Sequence, residues 1–152
     1  MSIETDIKQP KFKSSYHKLM VNLLFTANWH HNEHLRLLKP HDLTIQQYNV
    51  LRILKGQYPK SVRINDIIDR MLDKMSNASR LVDQLVKKKW AHRVGSELDR
   101  RAVDVTITKL GMKALIELEA TEAKMQEKMV NLTSEEADQL SNLLDKLRGS
   151  EQ

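Results

Sequence analysis

Apolar residues recur at helical spacing through the first third of the chain. From Ser14 to Leu38 they lie three or four positions apart, and Pro40 follows, which predicts a long helix ending there. A second helix is predicted after Thr44, because Thr44 can cap it and Gln47 can complete a capping box. We expect that helix to end at Gly56.

The middle of the chain carries two further helical patterns behind a short β-branched run. The run Val62–Ile64 predicts a brief strand, and Asn65 predicts the cap of a short helix that ends at Met71. Asp73 is expected to cap a longer helix that reaches about Lys88. One face of this helix is apolar and the opposite face is polar. The apolar positions are Ala78, Leu81, Val82 and Leu85.

Alternation with period two then replaces the helical spacing. Trp90–Val94 and Ala102–Ile107 are predicted strands joined by a polar loop, which together form a β-hairpin. Two more helices are expected, from Thr108 to about Met129 and from Thr133 to Arg148. Thr133 has a capping-box glutamate three residues later. The predicted fold is mainly α with a small β-hairpin, in the order of a winged helix-turn-helix.

Composition excludes several classes of function. The 152 residues include no cysteine, so disulfides, thiolate zinc sites and thiol chemistry are excluded. No apolar run is long enough for a membrane span, and the N-terminal residues have no apolar signal region, so we expect a cytoplasmic protein. No Gly-rich phosphate loop, nucleophile elbow or HExxH motif is present, and we therefore expect no enzyme and no cofactor.

Charge is distributed unevenly within the net +5 of the chain. Residues 55–101 hold twelve basic and six acidic side chains, whereas residues 112–152 hold five basic and nine acidic. A basic middle indicates a segment that faces a polyanion such as DNA, although solvated surface would show the same asymmetry.

Three stretches and one glycine, taken in order, resemble the MarR family of bacterial transcription regulators. They are LTIQQYNVLRIL (43–54), SNASRLVDQLVKKKW (76–90), DRRAVDVTIT (99–108) and the following Gly111. The resemblance implies a winged helix-turn-helix with N- and C-terminal dimerisation helices. Two positions depart from the family pattern. Lys89 stands where the family usually has glycine after the recognition helix, and we expect a reshaped or mildly strained exit there. Leu110 replaces a polar residue that is common before Gly111.

The predicted recognition helix presents its polar face to the major groove of duplex DNA. Side chains near its N-terminus should approach base edges and phosphates, and the lysines should neutralise phosphates. The predicted DNA-binding residues on and beside this helix are Lys74, Ser76, Asn77, Ser79, Arg80, Gln84 and Lys87. An ordinary amphipathic surface helix is the alternative interpretation of the same pattern.

The loop of the hairpin supplies the wing. Arg100 and Arg101 are predicted to bind DNA, one of them by entering an adjacent A·T-rich minor groove. Asp99 is expected to pair with the other arginine and to stabilise the wing. A purely structural ion-pair turn remains open for one of the two.

A homodimer is expected, because one recognition helix reads too few base pairs for useful specificity. The predicted parts are residues 1–40 as an N-terminal dimerisation helix, 41–110 as the DNA-binding lobe and 111–152 as C-terminal dimerisation helices. An intramolecular helical cap is the alternative use for these apolar helices. We predict a sequence-specific regulator, in the first place a repressor, that binds a palindromic operator. The alternative is a winged-helix module that binds a protein or a small molecule and no DNA.

The resemblance also implies an effector pocket between the dimerisation helices and the DNA-binding lobe. Its candidate lining residues here are Trp29, His30, Tyr48 and Leu51. The cluster His30, His31 and His34 suggests a metal site, but without cysteine it more often forms solvated surface, and we predict no metal.

Overall fold

The computed structural model describes residues 2–95, 103–129 and 131–149. Within these ranges the α-helices are α1 (Ile3–Asp6), α2 (Ser15–Leu38), α3 (Ile45–Gln57), α4 (Ile64–Arg70), α5 (Ala78–Lys87), α6 (Lys109–Met129) and α7 (Ser134–Leu147). The strands are β1 (Val62–Arg63), β2 (Ala91–Gly95) and β3 (Val103–Ile107). The predicted class, mainly helical with a small antiparallel sheet, is confirmed.

Local capping chemistry sets the ends of the first long helices. The Ser14 hydroxyl accepts a hydrogen bond from the backbone N–H of His17 at 3.1 Å and starts α2. A 3-10 turn with Pro40 follows its last residue. At the start of α3, the Gln47 N–H donates to the Thr44 hydroxyl at 3.1 Å and the Thr44 N–H donates to the Gln47 side chain at 3.0 Å. The predicted capping box is therefore confirmed, and α3 ends one residue after Gly56.

The three strands form one antiparallel sheet in the order β1-β3-β2. β2 and β3 pair with Ala91 opposite Ile107 and Gly95 opposite Val103, which confirms the predicted hairpin. The predicted strand at Val62 is also confirmed and joins the far edge of β3, opposite Val105. The alternation of β3 places Val105 and Ile107 in the core.

Two predicted helix starts are wrong. α4 begins at Ile64 rather than after Asn65, because β1 leads straight into it and the extended Arg63 occupies the N-cap without a side-chain hydrogen bond. α5 begins at Ala78 rather than after Asp73, and Asn77 is its N-cap. The Asp73 carboxylate instead accepts the Met75 N–H at 3.0 Å, and this local turn competes with helix formation.

The chain divides into two compact units, residues 1–118 and 119–152. The core of the first unit includes fully buried side chains from α3, α4, α5 and the sheet, namely Leu51, Leu54, Ile67, Val82, Leu85 and Val105. In the second unit, α7 begins with the predicted capping box between Thr133 and Glu136. None of the described helices combines the length and apolarity that crossing a bilayer requires. The predicted division of the chain at residues 40 and 110 stays a prediction.

Candidate nucleic-acid interface

Helix α5 separates apolar and polar side chains onto opposite faces. Ala78, Val82 and Leu85 are at most 1% exposed and pack into the core of the first unit. The other face is exposed and carries Ser79, Arg80, Asp83 and Lys87. A helix anchored along one face and polar along the other suits insertion into a DNA groove.

Two of the predicted DNA-binding residues build the N-terminal end of this helix. The Asn77 side-chain oxygen accepts the Arg80 N–H at 3.0 Å and caps α5. The Ser76 hydroxyl donates to the Asp73 carboxylate at 2.7 Å. Together with the Met75 N–H, this hydrogen bond lowers the pKa of Asp73 below its ordinary value. The turn ahead of α5 is thus fixed by its own side chains.

Arg93 on β2 ties the sheet to the polar face of α5. Its guanidinium donates to the Ser79 hydroxyl at 2.8 Å and forms an ion pair with Asp83 at 3.0 Å. Ser79, a predicted DNA contact, therefore has an intramolecular partner. Sequence inspection gave no signal for this link, because the partners lie 14 and 10 residues apart on different elements.

Gln84 is likewise occupied within the protein. Its side-chain oxygen accepts the side-chain N–H of Gln47 at 2.7 Å, and Gln47 is only 5% exposed. The capping box of α3 is therefore bonded to the middle of α5. A separation of 37 residues left this contact outside any local sequence pattern.

Arg80 and Lys87 point their charge outward. Within the described residues, neither side chain has a hydrogen-bond or ion-pair partner, and both are exposed. Lys74 differs, because its ammonium donates to the backbone carbonyls of Ile68 and Asp69. The predicted wing residues Asp99, Arg100 and Arg101 lie outside the described residues.

The exit of α5 has the geometry of a Schellman motif. Lys89 adopts a left-handed backbone conformation with φ of 61°, as expected for a position where glycine is preferred. The Lys89 N–H donates to the Val86 carbonyl, and the Trp90 N–H donates to the Leu85 carbonyl, both at 2.9 Å. The sequence prediction of a mildly strained exit is thus consistent with the observed backbone.

Helix α6 begins directly against this exit. The Thr108 hydroxyl donates to the Lys89 carbonyl at 2.7 Å, and the Thr108 backbone N–H donates to the Trp90 carbonyl at 3.0 Å. A Cβ atom on Gly111 would lie 2.2 Å from the Trp90 carbonyl oxygen, so glycine is required by close approach. The first turn of α6, the end of α5 and the start of β2 are therefore one hydrogen-bonded unit.

The residues predicted to line an effector pocket lie in two environments. Tyr48 and Leu51 are buried in the core, at 2% and 0% exposed, whereas Trp29 and His30 are exposed on α2. Ring contacts run from Trp29 to His30, on to His34 and then to Tyr48, with centroid distances of 6.4, 4.4 and 6.4 Å. Among the described residues no group of three or more His, Cys, Asp or Glu is placed to hold a metal ion.

An open cleft of about 730 Å³ lies beside the C-terminal half of α5. None of the four predicted pocket residues lines it. Its walls come from the end of α2, the start of α3 and α5, through Leu35, Lys39, Asp42, Leu43, Thr44, Gln47, Gln84, Lys87 and Lys88. Lys88 forms an ion pair with Asp42 at 2.6 Å across one side, and this contact lowers the pKa of Asp42.

Comparison of the sequence with known proteins identifies a matching family model and similar curated proteins. A family model described as the MarR family matches residues 41–102. The HTH-type transcriptional regulator YpoP of Bacillus subtilis (strain 168) is 32% identical over 74 residues, which cover 49% of this chain and 51% of that protein. The chain thus spans about half the length of the curated relatives that it matches.

Similarity of structure extends over more of the chain. The MarR transcription factor from Planctomyces limnophilus is 26% identical, with a TM-score of 0.69 over 91% of this chain and 98% of that one. MepR of S. aureus in its DNA-binding conformation is 25% identical, with a TM-score of 0.68 over 86% of this chain and 98% of that one.

Proposed function

This chain belongs to the MarR family of transcription regulators, and from that premise we propose that it represses transcription by binding a palindromic duplex DNA site as a homodimer. Residues 41–110 are the proposed DNA-binding lobe, and residues 1–40 and 111–152 the proposed dimerisation segments. Members of the family act as transcription factors rather than as enzymes, and we assign no catalytic activity to the chain.

The observation that carries this proposal is the exposed polar face of α5 with its outward cations. Arg80 stands one turn from the capped N-terminus, where a recognition helix contacts base edges, and a guanidinium suits the paired acceptors of guanine. Lys87 near the other end suits a phosphate. We also propose DNA contacts for four side chains that are bonded within the protein, because these hydrogen bonds hold them in fixed geometry. They are Ser76, Asn77, Ser79 and Gln84.

Dimerisation is supported by apolar side chains that each unit leaves exposed. On α2 these include Leu19, Met20, Leu24 and Phe25, at 40–62% exposed. On α7 they are Leu140, Leu143 and Leu147, at 46–63%. The three leucines of α7 are spaced i, i+3 and i+7 and therefore share one helix face, and an exposed apolar face of this kind marks an interaction surface. A second copy of the chain is the proposed partner, because two-fold pairing presents two recognition helices to one duplex.

The decisive experiment compares Arg80→Ala with Arg52→Ala in a fluorescence-anisotropy titration of duplex DNA. Arg52 is also exposed but lies on α3 above the Tyr48 ring, so its removal leaves the proposed interface intact. We expect Arg80→Ala to cost about 1–3 kcal/mol of binding free energy and Arg52→Ala to match the wild type. Wild-type protein without duplex affinity at low salt would instead indicate a winged-helix module for other partners.

We propose the cleft beside α5 as the effector site, with a small organic acid as the ligand class. Leu35 and Leu43 offer apolar walls, whereas Lys39, Lys87 and Lys88 offer cations. Because Lys87 is also a proposed phosphate contact, a bound anion competes with DNA. Benzoate should raise the melting temperature and weaken duplex binding, and neutral benzamide should do neither. Equal effects of both compounds would contradict an anion site.

A further inference from the structure

The turn between α4 and α5 displays two apolar side chains almost completely. Leu72 is 87% exposed and Met75 is 94% exposed, more than any other large apolar side chain among the described residues. The next, Tyr16, is 81% exposed. Leu72 and Met75 lie in residues 71–76, directly ahead of the Asn77 cap. Folding of the chain therefore removes almost none of the apolar surface of these two side chains from water.

The backbone of this turn is held in place from several directions. The Leu72 N–H donates to the Asn49 side chain on α3 at 3.0 Å, and the Asp73 carboxylate accepts the Met75 N–H at 3.0 Å. The Ser76 hydroxyl bonds the same carboxylate, and the Lys74 ammonium bonds carbonyls of α4. The two side chains are therefore displayed by a fixed scaffold, as a preorganised contact requires.

The surroundings of Leu72 and Met75 indicate which partner covers them. Exposed side chains of both signs lie near them in sequence, namely Asp69, Arg70, Asp73, Lys74 and Arg80, so local charge does not decide the partner. Two apolar side chains are too small a surface for a stable protein interface, which needs about 1,000 Å² in total. Their place in the fold is more informative, because the turn leads directly into the N-terminus of α5, where Arg80 is a proposed DNA contact. Duplex DNA offers small apolar groups to such side chains, because the C5-methyl of each thymine projects into the major groove.

We propose that Leu72 and Met75 read thymine methyl groups at the edge of the operator half-site. This inference rests on the proposed DNA binding and adds to it a preference for T·A pairs beyond the contacts of Arg80. Burial of one methyl group against an apolar side chain corresponds to about fourfold in affinity. Hydrogen bonds to the base pair, in contrast, do not depend on whether the methyl group is present.

The test replaces thymine by deoxyuridine, one position at a time, in a duplex obtained by selection with the wild-type protein. The base pair and its hydrogen bonds stay the same, and only the methyl group is lost. We expect wild-type affinity to fall about fourfold at one or two positions flanking the contacts of α5. Met75→Gln and Leu72→Gln should each bind the uracil and thymine duplexes equally at the position that the replaced side chain contacts.

Leu110→Gln is the matched control, because Leu110 is an exposed apolar side chain on α6. It should keep the wild-type sensitivity to uracil. Tight wild-type binding that is equal for every uracil-substituted duplex would overturn the proposal while leaving DNA binding established. A Met75→Gln variant that retains the full thymine preference, together with a Leu72→Gln variant that does so, would also overturn it. Absence of any duplex binding would instead refute the proposed function.

Discussion

Lys89 holds a backbone conformation that glycine normally takes at the end of a helix. A left-handed backbone costs a non-glycine residue about 1–2 kcal/mol, whereas glycine costs about 0.4–1 kcal/mol through the entropy of the unfolded chain. We therefore expect Lys89→Gly to increase the free energy of unfolding by about 0.5–1 kcal/mol. Urea denaturation of both proteins measures this difference. A destabilised variant would show that the φ of 61° carries no strain.

Gly111 shows the opposite requirement, since a side chain there has no room. Its Cβ would meet a backbone carbonyl, which cannot move away as a flexible side chain can. We expect Gly111→Ala to lower the melting temperature and to cost about 1–3 kcal/mol.

Gly56→Ala is the control for that substitution. Gly56 lies in α3 with nothing within 4 Å of the added Cβ, so alanine there should stabilise the helix by about 0.5–1 kcal/mol. Calorimetry of the two variants should therefore give shifts of opposite sign. Shifts of the same sign would contradict the assigned close approach at Gly111.

At the scale of elements, the turn before α5 depends on the ionised form of Asp73. Its pKa is lowered by the Ser76 hydroxyl and the Met75 N–H, so its contribution to stability is present above pH 3.8 and is lost as the pH falls through the lower folded value. We expect an NMR titration to give Asp73 a midpoint below 3.8, and Ser76→Ala to raise that midpoint. A midpoint unchanged by Ser76→Ala would contradict the hydrogen bond.

The same turn explains which elements could be predicted from the sequence. The predicted starts of α3 and α7 are confirmed, and they could be predicted because a capping box joins residues only three positions apart. The start of α5 was wrong because Asp73 and Asn77 are both good caps, and an aspartate that closes a turn has the same local signature as one that opens a helix.

Contacts between elements were beyond prediction for a different reason. The bonds of Gln84 to Gln47 and of Arg93 to Ser79 depend on how α5 packs against α3 and β2. Periodicity located the polar face of α5, but it gave no means of separating outward side chains such as Arg80 from internally bonded ones. The sequence therefore predicted the two faces of α5 but not which of its polar side chains are bonded within the protein.

At the scale of the whole molecule, the proposed dimer depends on the apolar face of α7. Leu143→Glu places a charge among the exposed leucines and should shift the protein toward monomer in sedimentation analysis. Asn142→Glu is the matched control, because helical geometry places it on the opposite side of α7. A wild-type monomer at micromolar concentration, or equal effects of both variants, would contradict this interface.

Selection of bound sequences from random duplex DNA tests the central claim most directly. If two copies of α5 and its hairpin read one duplex, the enriched sequences should be palindromes whose half-sites lie about 10 base pairs, or one helical turn, apart. The enrichment should be lost with Arg80→Ala. Recovery of a single unsymmetrical motif, or of no motif from a protein that remains folded, would contradict the account.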